Sequence, residues 1–152
     1  MSAEAVIVGP GSGQVISLRG TEIRVLSTAA DCNGASSFEF RALPGFDTGS
    51  HIHSRIEELF YVLDGKMELR TGDRITDAGP GTFACVPVGV AHAFANRGDS
   101  PARMLLVCAP SGHERYFKEL AAILAREGPP DPEVIAALRA RFDTTQVSPL
   151  MT

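Results

Sequence analysis

At 152 residues and 16.1 kDa the chain suits one compact domain, and 44% hydrophobic with 21% charged residues is an ordinary globular mixture, not a disordered polymer. A formal net charge of −4 and a pI near 5.5 argue against a nucleic-acid partner, which demands a basic face. No apolar window reaches membrane-spanning length and the opening Met1–Val8 stretch lacks the basic lead of a secretion signal; Cys32, Cys85 and Cys108, an odd set without close pairing, read as reduced thiols of a cytoplasmic protein.

Along the chain, Gln14–Leu18 and Thr21–Thr28 read as paired strands around Arg19-Gly20, and Ser36–Leu43 as a third. His51 and His53 sit at alternate positions of an extended segment, which turns both rings to one side. Glu58–Leu63 follows as a strand with Phe60 and Val62 on the side of Glu58 and Glu57 on the other, and Asp64-Gly65 ends it as a hairpin turn. Lys66–Arg70 and Arg74–Thr76 form a hairpin across Thr71-Gly72-Asp73. Thr82–Val86, then Ala91–Ala95 with His92 and Phe94 on one face, then Ala102–Cys108 complete the set. Short strands divided by Gly, Pro, Asn and Asp make an all-β sandwich or small barrel.

From Ser111 the period becomes helical. Ser111-Gly112-His113-Glu114 reads as a capping box, with Phe117, Leu120, Ile123 and Leu124 as the apolar face behind it. Asp131 caps a second helix that has Pro132 at its first position and Ile135, Leu138 and Phe142 at helical spacing. Acidic residues offset the arginines here, so the pair reads as helices packed on the barrel or at a subunit interface and not as a DNA-reading motif. His113 reads as solvent-exposed, and Cys85 and Cys108 as small core residues, with a pocket or soft-ligand role as the alternative.

His51, His53, Glu58 and His92 are the candidate metal ligands. A buried carboxylate needs a cation, and three imidazoles with one carboxylate suit a single divalent ion. Four such ligands leave an octahedral ion two open positions, and the lack of cysteine in the set favours a catalytic or ligand-binding ion over a structural zinc. Iron, nickel, manganese, cobalt, copper and zinc all remain open. By parity Phe38, Phe40, Phe60 and Phe94 are candidate substrate-binding residues; the expected lining is apolar, with few inward cations, and favours a planar or apolar small molecule.

The spacing Gly45-x5-His51-x-His53-x4-Glu58-x6-Gly65 resembles the first motif of the cupin superfamily, and Gly81-x5-Pro87-x-Gly89-x2-His92-x3-Asn96 resembles the second. The resemblance implies a double-stranded β-helix, or jelly-roll barrel, over residues 1–110 with motifs at 45–65 and 81–96, followed by a helical extension over 111–152 packed on the barrel. It also implies a homodimer. Within the superfamily the layout is similar to quercetin-dioxygenase-like single-domain cupins, which implies a metal-dependent dioxygenase acting on a flavonol, polyphenol or aromatic polyketide-like substrate, with Glu58 as ligand and general base. A metal-dependent cyclase or isomerase working without oxygen is the first alternative, and a non-catalytic small-molecule-binding barrel the second.

Overall fold

The computed structural model describes residues 4–148. Met1–Ala3, where the stretch read for a secretion signal begins, and Pro149–Thr152, the end of the expected 111–152 extension, lie outside the described residues.

Among the described residues eleven strands and two helices follow in the order β1 (Val15–Leu18), β2 (Thr21–Ser27), β3 (Ser36–Ala42), β4 (His51–Ile52), β5 (Glu57–Asp64), β6 (Met67–Thr71), β7 (Arg74–Ala78), β8 (Phe83–Val86), β9 (His92–Ala95), β10 (Ala102–Ala109), α1 (Glu114–Leu124), α2 (Pro132–Arg141) and β11 (Thr145–Gln146). They form two antiparallel sheets, β1-β2-β3-β10-β5-β8 and β11-β4-β9-β6-β7, that pack face to face without closing into one continuous ring. Alternation decides which residues turn inward: Phe38, Phe40 and Ala42 of β3, Phe60 and Val62 of β5, and Met104, Leu106 and Cys108 of β10 are all buried, whereas Glu57 and Tyr61 are exposed. No helix among the described residues is long and apolar enough to cross a membrane.

The Asp64-Gly65 turn is not a hairpin. β5 belongs to the six-stranded sheet and β6 to the five-stranded one, so the turn carries the chain across the sandwich. Gly65 has φ +70°, and a Cβ there would stand 2.8 Å from both Ala102 Cα and Pro101 O; the crossing passes too close to the start of β10 for a side chain.

The capping box at Ser111 is also absent. His113 occupies the cap position of α1 with no side-chain hydrogen bond to the helix, and the Ser111 hydroxyl donates to Asn33 O instead. Glu114 points away to the barrel, accepting from Ser36 Oγ at 2.7 Å and Ala29 N at 3.1 Å. A tertiary ion–dipole contact has displaced the local one. At α2 the expected cap is present, with Asp131 accepting from Glu133 N at 2.9 Å. Phe117 anchors α1 over the open side of the sandwich, edge-on to Phe38 at 5.0 Å and to Phe40 at 5.5 Å. After α2 the chain returns as β11, which pairs with β4 in the register Thr145↔Ile52 and Gln146↔His51.

Candidate metal centre

Four side chains from three places meet between the sheets. His51 on β4 and His92 on β9 are direct cross-strand partners with ring centroids 4.4 Å apart. His53, two residues on, puts its ring on the same side as His51, 5.0 Å away. Glu58 comes from β5 of the facing sheet. All four are buried, and one ligand atom from each lies within 4.8 Å of the others.

The outward nitrogen of each ring is fixed by a main-chain carbonyl: His51 Nδ1 to Gly49 O at 2.9 Å, His53 Nδ1 to Asp143 O at 2.8 Å and His92 Nδ1 to Val90 O at 3.0 Å. A carbonyl can only accept, so Nδ1 carries the proton and each Nε2 presents a lone pair inward. His92 Nε2 is 2.7 Å from Glu58 Oε2, and His53 Nε2 is 3.3 Å from Glu58 Oε1 without hydrogen-bond geometry, leaving that nitrogen buried and without a hydrogen-bond partner among the described residues. Lone pairs and a carboxylate this close repel unless a proton or a cation sits among them. The donor set therefore fits a divalent ion, and its tautomers are already set for one.

Electrostatics agree. Burial pushes His51 down to about 4 against the pull of the Glu58 charge. Burial works on Glu58 in the opposite sense, but His53 and His92 beside it hold its carboxyl well below the ordinary range. His53 runs the other way: against its own burial, the Glu58 contact and the Asp143 carbonyl raise it, so a proton competes with a cation for its Nε2. Cys108, register partner of Glu58 across β10 and β5, donates to Glu58 Oε1 at 3.6 Å; burial and that neighbouring charge keep it a thiol. Cys85 is exposed and not a core residue. Asn96, fully buried, has a structural job: its amide donates to Ala42 O at 3.0 Å and Ser100 O at 2.8 Å.

A cavity opens above the ligands. Phe40, Phe46, Phe94 and Phe117 give it aromatic walls, with His51, His53 and Glu58 among its lining residues. Phe38 and Phe60 are buried in the core behind this lining. The polar part of the wall comes from the C-terminal segment as His113, Tyr116, Arg139, Thr144 and Gln146.

Two of these correct the sequence reading. His113 is only 5% exposed, its Nδ1 has no hydrogen-bond partner among the described residues, and burial pushes it down to about 4. It continues the stripe of Phe117 and Leu120 back by one turn, a periodic signal present in the sequence. Arg139, likewise 5% exposed, is a cation that the sequence reading did not name, in a lining expected to hold few. It lies four residues after Ile135, on the apolar face of α2.

Residues 38–108, which carry all four candidate ligands, match the family model described as "Cupin domain". Polyketide synthase CurC of Streptomyces cyaneus is 30% identical over 94 residues, 60% of this chain and 61% of CurC. Protein SchB of Streptomyces halstedii is 32% identical over 94 residues, 60% of this chain and 68% of SchB. The chain thus spans about three fifths of CurC and about two thirds of SchB. Among solved structures, the polyketide cyclase RemF from Streptomyces resistomycificus is 27% identical and superposes with a TM-score of 0.62 over 69% of this chain and 79% of RemF. With two facing antiparallel sheets, the cluster between them and these relatives, the chain belongs to the cupin superfamily.

Proposed function

We propose that this protein is a metal-dependent cyclase that closes a ring in a polyketide-like keto–enol substrate. The observation that carries the reading is the position of the donor set: three imidazoles with Nε2 turned inward and one ionised carboxylate, of which His51, His53 and Glu58 line an aromatic cavity. Likeness to a polyketide synthase and a polyketide cyclase favours ring closure over the dioxygenase reading that comes first from sequence.

A divalent ion held by His51, His53, Glu58 and His92 would supply Lewis acidity to a carbonyl or enolate oxygen. The protein's own groups do the rest. Phe40, Phe46, Phe94 and Phe117 hold a folded, planar chain and keep water from the reacting carbons. Carbon–carbon closure removes a proton from a carbon beside a carbonyl, and a Glu58 carboxylate oxygen, in the cavity lining, would take it. The same proton then returns to the new alkoxide to give an alcohol, and that hydroxyl leaves as water with a second hydrogen from the adjacent ring carbon as the ring becomes aromatic. Neutral His113 and the Tyr116 hydroxyl offer hydrogen bonds to the substrate's other oxygens.

The test is turnover of short poly-β-ketones, supplied both as free acids and as esters, by zinc- or manganese-loaded protein under strict anaerobiosis. A product lighter by one water, formed as fast without air as with it, supports cyclisation. Turnover that stops without dioxygen would return the dioxygenase reading, and saturable binding with the ligand recovered unchanged would point to a binding barrel.

A further inference from the structure

Helix α2 carries a cation into an interior that is otherwise aromatic. Among the described residues the Arg139 guanidinium has two acceptors, Tyr116 Oη, 3.3 Å from Nε, and Gln146 Oε1, which takes Nη1; both are neutral. None of the ion pairs among the described residues includes Arg139, although most of the other arginines that enter one are at least half exposed or close to it. A guanidinium has five N–H donors and does not lose its proton at working pH, so burial cannot neutralise it as it would a lysine. A charge so buried, with no carboxylate of the described residues within ion-pair distance, is costly to keep. Its position explains the cost: Arg139 lines the same cavity as His51, His53 and Glu58. A planar fork with free N–H groups suits a carboxylate, which it can grip with two parallel bonds.

We propose that Arg139 is a specificity-determining residue that pairs with a carboxylate of the substrate, so that the cavity takes an acid with an apolar or ring-forming body and not its ester or amide. This deepens the proposed function and rests on it for the end of the ligand that reaches the metal-ligand cluster; the carboxylate end rests on Arg139 alone. Tyr116 and Gln146 then act as positioning residues that hold the fork in the wall.

Binding of 2-naphthoate and of 2-naphthamide, nearly the same shape with and without the charge, tests it by calorimetry on chelator-treated and on zinc-loaded protein. The wild type is expected to prefer the acid at least tenfold in both forms. Arg139→Gln should erase the preference while naphthamide binding and zinc stoichiometry stay as they were, and Arg139→Lys should restore part of it. No preference in the folded wild type overturns the proposal without any variant. So does a preference that survives in Arg139→Gln, or one seen only with zinc, which would put the carboxylate at the metal. Failure of the cyclase reading looks different: the acid preference would be present and no ring closure would follow.

Discussion

Asp143 joins the C-terminal segment to the candidate metal centre through a single residue, and its removal has a calculable cost. Its carboxylate accepts the amides of Ser54 at 3.1 Å, Arg55 at 2.7 Å and Ile56 at 3.1 Å as well as the Ser54 hydroxyl, while its carbonyl fixes His53 Nδ1. The residues so clasped are the whole link between the ligands His53 and Glu58, apart from Glu57. A hydrogen bond to a charged acceptor contributes roughly 1.5–3 kcal/mol when protected from water. Ser54 and Arg55 are exposed, so water replaces much of that, and about 2–3 kcal/mol in total is a reasonable loss for four bonds. Asp143 has φ 55°, a left-handed backbone that costs alanine roughly 1 kcal/mol more. Asp143→Ala is thus expected to lose about 3–4 kcal/mol. Asp143→Asn, which keeps one acceptor oxygen and tolerates that backbone, should lose about 1–2 kcal/mol. Equilibrium urea unfolding followed by circular dichroism measures both. Zinc affinity, read by chelator competition, should fall on the order of 10- to 100-fold in the alanine variant, as expected for loss of support behind a ligand. An alanine variant within 0.5 kcal/mol of wild type, with zinc affinity unchanged, would refute the clasp.

Glu114 provides a pH test. Burial would raise its carboxyl, but the Ser36 hydroxyl and the Ala29 amide together hold it below its ordinary value. The unfolded chain therefore takes up this proton at higher pH than the native protein, so the contribution is complete above the unfolded value and fades as pH falls through the lowered native one. Glu114→Gln is expected to cost about 1–2 kcal/mol at pH 7, with the gap to wild type narrowing in acid; a gap constant from pH 7 to pH 3 would count against it. Phe117→Ala removes the ring that anchors α1 on Phe38 and Phe40, and since part of the hole merges with the existing cavity, a loss near 3 kcal/mol is expected in chemical denaturation. Gly65→Ala combines a positive φ with 2.8 Å approaches to backbone atoms of Pro101 and Ala102. It should destabilise by about 3 kcal/mol or more, and an unchanged melting temperature would mean that the crossing is looser than described.

Those parts of the fold that follow from period were readable in the sequence. Alternation separates Glu58 from Glu57 and aligns Phe38 with Phe40, and motif spacing brings His51, His53 and His92 to one point because strand geometry is rigid at that scale. What a turn residue does not encode is the destination of the next strand: Asp64-Gly65 announces a bend, yet whether β6 stays in its sheet is decided by packing across the sandwich. Ser111 and Glu114 have the spacing of a cap, but Ser36 and Ala29, remote in sequence, bind Glu114 better. His113 and Arg139 sit on the apolar stripes of α1 and α2 and were legible by position; their polarity argued for solvent. The two-residue β11 is too short to leave any period, and only its partner β4 makes it a strand.

The central claim is that His51, His53, Glu58 and His92 hold one divalent ion. Elemental mass spectrometry of freshly purified protein, beside Glu58→Ala and Glu57→Ala prepared in parallel, tests it most directly. About one equivalent of metal in wild type and Glu57→Ala, with little in a folded Glu58→Ala, is the result the geometry requires. Metal retained by Glu58→Ala, or absent from the wild type even after incubation with zinc or manganese, would contradict it.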